Sequence, residues 1–415
     1  MRLSKLYTKT SKTIIAGEPS KNAQLLIQAG FIHKEMAGVY SFLPLGKKVI
    51  DNISQIVRDE MNSIGGQEVQ MSIMQSRELW LKTNRWDDKV IDNWFKTKLA
   101  NGSEVGIGLT HEEPIINALL PFVNSYKDLP VYIYQIQSKF RNELRAKSGL
   151  MRGREFIMKD LYSFSMNQKE HQDFYEKVAQ SYLRIYSKLG IGDITVRTFA
   201  DGGYFSKFSD EFQTISDIGE DTIFFDKEKN IAVNKEVYRP EVLQDIGLKE
   251  DNLVEKKSVE VGNIFSLGSK YCDSLGLYFL DENGKKQSVI MGCYGIGISR
   301  LMGLIAEHFA DNKGLVWPSS IAPAKVCIVR IGDEPEVISE AEKIYTKYKN
   351  HIDIIYDDRN VRAGEKFADA DLLGIPIRLV VSKNTVDKGV VEIKYRTSDK
   401  IELIKIDKIS ELTAR

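Results

Sequence analysis

The sequence predicts an α+β domain organised on a long antiparallel hairpin, followed by a small α/β domain. Three observations carry this. First, Val131–Ile136 and Arg154–Ser165 both read as strands. The former is β-branched and aromatic; in the latter Phe156, Met158, Tyr162 and Phe164 alternate with polar or charged neighbours, the pattern of a half-buried strand. The loop between them is rich in Arg, Lys and Gly, giving a hairpin with a basic tip, either simply solvated or used for binding. Second, Gln287–Gly303 (QSVIMGCYGIGISRLMG) runs from a strand through a glycine turn into an apolar helix. Third, beyond the proline-bearing linker Trp317–Pro323 the pattern changes. Strands at Lys325–Ile331, Ile352–Tyr356, Pro376–Val381, Val390–Tyr395 and Ile401–Ile406 enclose helices near Pro335–Tyr348 and Gly364–Leu373, which makes a compact α/β domain.

Composition sets the outer limits. The 415 residues suffice for two or three domains with their own cores. An apolar share of 42% and a charged share of 28% are ordinary for a globular protein. The 58 basic and 58 acidic side chains cancel, so any nucleic-acid binding must rest on local basic patches. No apolar run approaches a membrane span, and the N-terminal stretch lacks the apolar core of a secretory signal. Cys272, Cys293 and Cys327 are scattered and the five histidines dispersed, so no metal site built from them is expected. Free thiols suit a reducing cytosol.

The remaining elements follow in order. Ser20 opens a helix through Ala29, ended by Gly30. A short strand at Val39–Leu43 and a turn at Pro44–Gly46 lead into an amphipathic helix with Val49, Ile50, Ile53, Ile56, Val57 and Ile64 on one side. Gly65 and Gly66 end it, and the strand Gln67–Met71 follows. In Leu109–Pro114 (LTHEEP), Thr110 with Glu113 three residues on is the spacing of a capping box before a helix. Asn167 and Glu170 form a second, opening a helix to Gly190 with Phe174, Val178, Ile185 and Leu189 facing inward. Asp226–Lys257, rich in Lys and Glu with one proline, reads as a small surface excursion. The glycine turn before Arg300 is either a Rossmann-type loop or close helix–strand packing, although the dinucleotide fingerprint spacing is not met. Its distinctive feature is Arg300 on the first helical turn, because a buried Arg there needs an anionic partner.

The stretch Gln137–Ser165, QSKFRNELRAKSGLMRGREFIMKDLYSFS, resembles the second signature motif of the class II aminoacyl-tRNA synthetases, in the form used by the prolyl-tRNA synthetase family. The likeness extends over almost the whole chain. The helix, glycines and strand over 46–71 resemble the first motif, which builds the dimer interface in that family; Ser72 stands where the family normally has proline. Gly295, Gly297 and Arg300 match the third motif. Gly202–Phe225 resembles further family strands at the active-site floor, with Asp210 where many relatives carry His. DDRNVRAGEKFADADLLGIPIRLVV resembles the anticodon-binding domain shared by the prolyl-, threonyl-, glycyl- and histidyl-tRNA synthetases.

This resemblance implies the class II fold: an α+β catalytic domain on a mixed, mainly antiparallel sheet over residues 1–225 and 259–320, followed by an α/β anticodon-binding domain over 321–415. Residues 226–258 would be a short insertion or linker in place of the large editing domain of many bacterial relatives. It also implies a cytoplasmic homodimer that joins L-proline to tRNA(Pro) through a prolyl-adenylate, with ATP and Mg²⁺. Thr110 and Glu112 match the Thr-x-Glu loop that holds proline's secondary amine, for which a hydroxyl and a carboxylate are suitable acceptors. Cys293 would lie beside the proline pocket. Arg141 would contact the α-phosphate and the proline carboxylate. Arg300 would bind the γ-phosphate and cover one face of adenine, with Phe156 on the other. Glu143 would help read adenine, Arg152 would contact phosphates, and Gly295 and Gly297 belong to the ATP site. Arg359, Arg362 and Lys366 are candidates for the tRNA anticodon. A proline pocket excludes the smaller alanine poorly, and residues 226–258 are too few for an editing domain, so this chain is not expected to hydrolyse alanyl-tRNA(Pro).

Overall fold

The hairpin expected at Val131–Ser165 lies within a nine-stranded sheet. A computed structural model describes residues 1–11, 13, 17–203 and 208–413. In it, residues 37–39 and 54–301 form one compact unit, and residues 1–36, 40–53 and 302–415 form another. The large sheet belongs to the former. Its strands are β1 (Gln67–Glu68), β2 (Val131–Phe140), β3 (Glu155–Ser165), β4 (Thr195–Asp201), β5 (Phe208–Ile215), β6 (Asp221–Asp226), β7 (Ile231–Asn234), β8 (Leu253–Gly268) and β9 (Ile290–Gly297). Their spatial order is β5-β4-β7-β6-β8-β9-β3-β2-β1. Only β1 beside β2 and β7 beside β4 run parallel, so the sheet is mixed and mainly antiparallel. An additional pairing of β5 with β8 closes β8, β6, β7, β4 and β5 into a ring.

The alternating pattern of β3 suggested a strand with one wet face, yet Lys159 through Ser165 are all buried. The reason is cover on both sides. The helix Gln168–Lys188 lies over one face with Phe174, Val178, Tyr182 and Ile185, and Lys159 Nζ donates to Tyr182 Oη at 2.6 Å. The polar residues of the other face point into the site described below. Asn167 caps this helix, accepting from the Glu170 backbone N–H at 3.0 Å, but the Glu170 carboxylate accepts from Met166 rather than closing the box on Asn167. The strand expected at Gln67–Met71 is shortened to Gln67–Glu68.

The segment 226–257 is not a surface excursion. It contributes β7 to the sheet and the helix Pro240–Asp245, whose proline sits at its start, where the missing N–H costs nothing. Val233, Val237, Val242, Leu243 and Leu248 form a small core with Phe199, Phe224 and Leu253. Charged residues dominated the reading because only one face of this small element is apolar. Asp210 is also accounted for: it accepts hydrogen bonds from Tyr175 Oη at 2.8 Å and Arg197 at 2.7 Å, a brace between β5, β4 and the long helix. Positions 204–207 of the neighbouring motif lie outside the described residues.

The second unit contains a five-stranded sheet, with β10 (Val326–Ile331), β11 (Ile354–Asp357), β12 (Ile377–Ser382), β13 (Val390–Tyr395) and β14 (Ile401–Lys405) in the order β11-β10-β12-β13-β14. The helices Pro335–Tyr348 and Ala363–Leu373 accompany it. A catalytic domain beginning at residue 1 does not match this grouping. Arg2 pairs beside Tyr356 and donates to Glu342 at 2.6 Å, Asn22 donates to Glu307 at 2.8 Å, and Phe31 stacks on Trp317 at 5.5 Å. These contacts tie the first residues of the chain to its last third. Among the described residues no helix is long and apolar enough to cross a membrane.

Candidate active site

Strand geometry assembles the site. Alternate residues of a strand share one face, which groups Gln135, Gln137 and Lys139 of β2, Phe156, Met158, Asp160 and Tyr162 of β3, and Cys293, Gly295 and Gly297 of β9. Register aligns the rows: Lys139 opposite Phe156, Gln135 and Gly295 opposite Asp160, Cys293 opposite Tyr162, and Gly297 opposite Met158.

One part of this region is a cleft of about 300 Å³, the low end of the range for ligand sites. Arg141, Glu143, Arg152, Phe156, Gly295, Gly297 and Arg300 all line it. The Arg141 guanidinium lies 5.2 Å from the centre of the Phe156 ring. Arg300 Nη1 donates to the Glu260 carbonyl at 2.6 Å and its carboxylate at 3.1 Å, and Nε donates to the Met151 carbonyl at 3.0 Å. Arg152 pairs with Glu143 at 3.0 Å. Burial, and then the like charge of Arg300, push the Arg141 guanidinium below its ordinary pKa. Arg141, unlike Arg152 and Arg300, has no carboxylate ion pair among the described residues and leaves its charge available to an anion in the cleft. A Cβ at Gly295 would lie 2.4 Å from Met158 Cε and 2.9 Å from Asn263 Oδ1, so a larger residue there would have to displace both side-chain ends.

A second cluster lies further along the same face. Glu112 is fully buried. Its carboxylate accepts from Thr110 Oγ1 at 2.7 and 2.8 Å, from Cys293 Sγ at 3.3 Å and from Arg85 Nη1 at 3.2 Å. Burial, and then the Glu112 charge, hold the Cys293 thiol far above its usual pKa, so it remains a donor. The helix Glu112–Leu119 starts here, but His111 occupies the cap position and no side chain caps it. The capping-box reading of Thr110 and Glu113 therefore fails. Glu113 instead accepts from Arg85 at 3.0 Å and Thr83 at 2.7 Å, because a buried carboxylate gains more from a cation and a hydroxyl than from a solvated helix end. Below the loop, Lys139 ion-pairs with Asp160 and contacts His111 Nδ1 at 2.8 Å, while His111 Nε2 bonds the Ser72 carbonyl at 3.0 Å. Burial, and then Lys139, lower the imidazole pKa to about 4. The ring is thus neutral, with Nδ1 accepting and Nε2–H donating.

Arg85, His111, Lys139 and Asp160 escaped sequence reasoning. Arg85 lies in a stretch without clear periodicity that folds as a three-stranded sheet (Met74–Ser76, Lys96–Lys98, Glu104–Ile107) beside Trp80, Trp86 and Trp94. A single arginine among three tryptophans was the available signal. Of the three anticodon candidates, Arg362 is exposed at the start of the helix Ala363–Leu373. The structure departs from expectation for the other two. Arg359 pairs with Asp357 at 2.7 Å and Asp369 at 2.8 Å, and Lys366 is buried, donating to the Arg330 carbonyl at 2.7 Å.

Comparison with known proteins accords with this geometry. Residues 95–309 match the family model described as the tRNA synthetase class II core domain (G, H, P, S and T), and residues 325–414 match the anticodon binding domain. A proline–tRNA ligase of Wolbachia sp. subsp. Drosophila simulans is 36% identical, covering 98% of both chains. One from Rickettsia canadensis is 36% identical over 98% of this chain and 97% of its own. The chain belongs to the proline–tRNA ligase family. A Bacillus cytotoxicus proline–tRNA ligase is 30% identical, and its alignment runs over 559 residues, so that relative is longer inside the shared frame. The fold is shared with the prolyl-tRNA synthetase of Cryptosporidium parvum, crystallised with L-proline and AMP. Its TM-score is 0.75 at 18% identity, covering 95% of this chain and 74% of that one.

Proposed function

We propose that this protein attaches L-proline to tRNA(Pro) at the expense of ATP. The observation that carries the reading is the pairing, on one sheet face, of a cleft bearing Arg141, Arg152 and Arg300 with a buried carboxylate. The cleft suits a polyphosphate; the carboxylate suits a cationic amine. In the first step a proline carboxylate oxygen attacks the α-phosphorus and pyrophosphate leaves. In the second, a hydroxyl of the tRNA's terminal ribose attacks the prolyl carbonyl and AMP leaves.

Both first-step reactants are anionic, so the protein's work is positioning and charge neutralisation. Glu112, with Thr110 and Cys293 around it, receives the secondary ammonium. Arg141 neutralises the α-phosphate and the proline carboxylate as they approach. Arg300 takes the γ-phosphate and, with Phe156, encloses adenine, which Glu143 helps to read. Arg152 meets the phosphates, and Gly295 and Gly297 keep the floor flat. Mg²⁺ would be held here mainly by phosphate oxygens, with one or two of the cleft's carboxylates. Glu220, Asp221 and Glu260 line the cleft, and burial together with the neighbouring Glu260 raises the Glu211 carboxyl behind it to about 8. The Mg²⁺ would neutralise phosphate charge. Arg362 is the anticodon candidate best placed to meet RNA, on a domain spanning roughly 321–415. The compartment proposed is the cytoplasm.

The test is ATP–pyrophosphate exchange with each amino acid in turn. Exchange is expected with proline; its absence with proline but presence with threonine or glycine would overturn the assignment.

The homodimer is proposed through residues 46–71, since Gln67 and Glu68 of β1 form an exposed sheet edge. Light scattering at micromolar concentration should give twice the chain mass. A monomeric mass with full activity would rule the dimer out.

A further inference from the structure

Arg85 takes no part in the reaction as set out above, and it does not line the cleft. Its guanidinium side chain is only 7% exposed, enclosed by the rings of Trp80 at 4.9 Å and Tyr271 at 5.1 Å. One nitrogen, Nη1, reaches two different carboxylates: Glu112 Oε2 at 3.2 Å, and Glu113 Oε1 and Oε2 at 3.0 and 3.1 Å. Both carboxylates are fully buried and adjacent in sequence. Glu113 is turned away from Thr110 and Cys293 and is anchored by Thr83.

We propose that Arg85 is a positioning residue for the amino-acid substrate, holding the Glu112 carboxylate aimed at the secondary ammonium, with Glu113 as its counter-anchor. This rests on the reading that Glu112 receives that ammonium. The geometry supports it: Arg85 Nη1 is the bridge between two adjacent buried carboxylates, and removing it would leave them facing each other without a counter-charge. Without Arg85, two neighbouring buried carboxylates resist being ionised together. A proton taken by Glu112 would turn an acceptor into a donor, facing the N–H groups it must receive. Burial already raises the Glu113 carboxyl against the opposing pull of Arg85.

The experiment is steady-state pyrophosphate exchange on the full-length chain. Arg85→Met should raise the KM for proline by about 30-fold or more, with the KM for ATP and the rate at saturating proline near wild type. Arg85→Lys should restore much of the loss, because a single nitrogen does the bridging, leaving a smaller rise confined to proline. Adding Glu113→Gln to Arg85→Met should improve proline binding, since removing the rival charge lets Glu112 stay ionised; a merely structural Arg85 predicts a worse double variant. An unchanged proline KM in Arg85→Met, or equal losses for proline, ATP and rate, would overturn the inference. If Arg85→Met does not fold, Arg85→Lys decides: a selective proline effect supports the proposal and none overturns it. Glu112→Gln separates the two levels. If that change leaves the proline KM unaltered, the Glu112 reading itself is wrong; if it raises the KM while Arg85 variants do not, only the Arg85 role is lost.

Discussion

Replacing Arg141 by alanine is expected to slow proline-dependent pyrophosphate exchange by about 10²–10³-fold, the usual loss when one preorganised charge-stabilising donor is removed from where charge develops. Arg141 follows directly on β2, its backbone N–H bonded to the Arg154 carbonyl at 2.9 Å and its guanidinium 5.2 Å from the centre of the Phe156 ring. Arg300→Ala should give a loss of similar size, because this cation is preset by Glu260 and Met151. Exchange kinetics on purified protein with a wild-type circular dichroism spectrum are the measurement. A folded Arg141→Ala enzyme with near-normal exchange would remove that residue from the site.

Asp160→Ala should destabilise the protein by about 3–5 kcal/mol, the cost of leaving a buried charge without its partner. The orphan would be Lys139, whose side chain is 1% exposed, and Asp160 also accepts from Gln135 at 3.1 Å. By contrast, Asp51→Ala, which breaks an exposed pair with Lys47 at 2.5 Å, should cost at most about 1 kcal/mol. Denaturant midpoints for the two variants provide the comparison. Replacing both charges by apolar residues, Lys139→Met with Asp160→Leu, should recover part of the loss. A midpoint for Asp160→Ala as close to wild type as that of Asp51→Ala would contradict the buried-pair argument.

Much of this was legible in the sequence where regular periodicity coincides with motif residues. The limits of Pro335–Tyr348 and Val390–Tyr395 agree with the structure because their apolar spacing and their boundaries point the same way. The seven residues expected around ATP line one cleft: period-two alternation brings Phe156 of β3 and Gly295 and Gly297 of β9 to one face, while Arg141, Glu143, Arg152 and Arg300 come to it from the adjoining loop and helix. What failed was decided by contacts distant in sequence. Thr110 and Glu113 have the spacing of a capping box, and Arg85, more than twenty positions away, overrides it. Arg359 and Lys366, named as anticodon candidates, are held by Asp357 and Asp369 and by a buried carbonyl, partners that no local pattern announced. The charge-rich 226–257 stretch hid a five-residue core with no long run of its own.

The joining of residues 1–36 and 40–53 with 302–415 in one unit bears on how the chain emerges from the ribosome. Residues 54–301 complete their own unit while the rest is still being synthesised, since domains fold as they become available. The N-terminal segment has no such opportunity. Phe31 must await Trp317, and Asn22 must await Glu307. For most of translation the first strands and helix lack these partners. Stopping the chain at Pro323 would keep Trp317 and Glu307 but remove Glu342 and Tyr356, the partners of Arg2, so cutting there would loosen the start of the chain as well as remove its end.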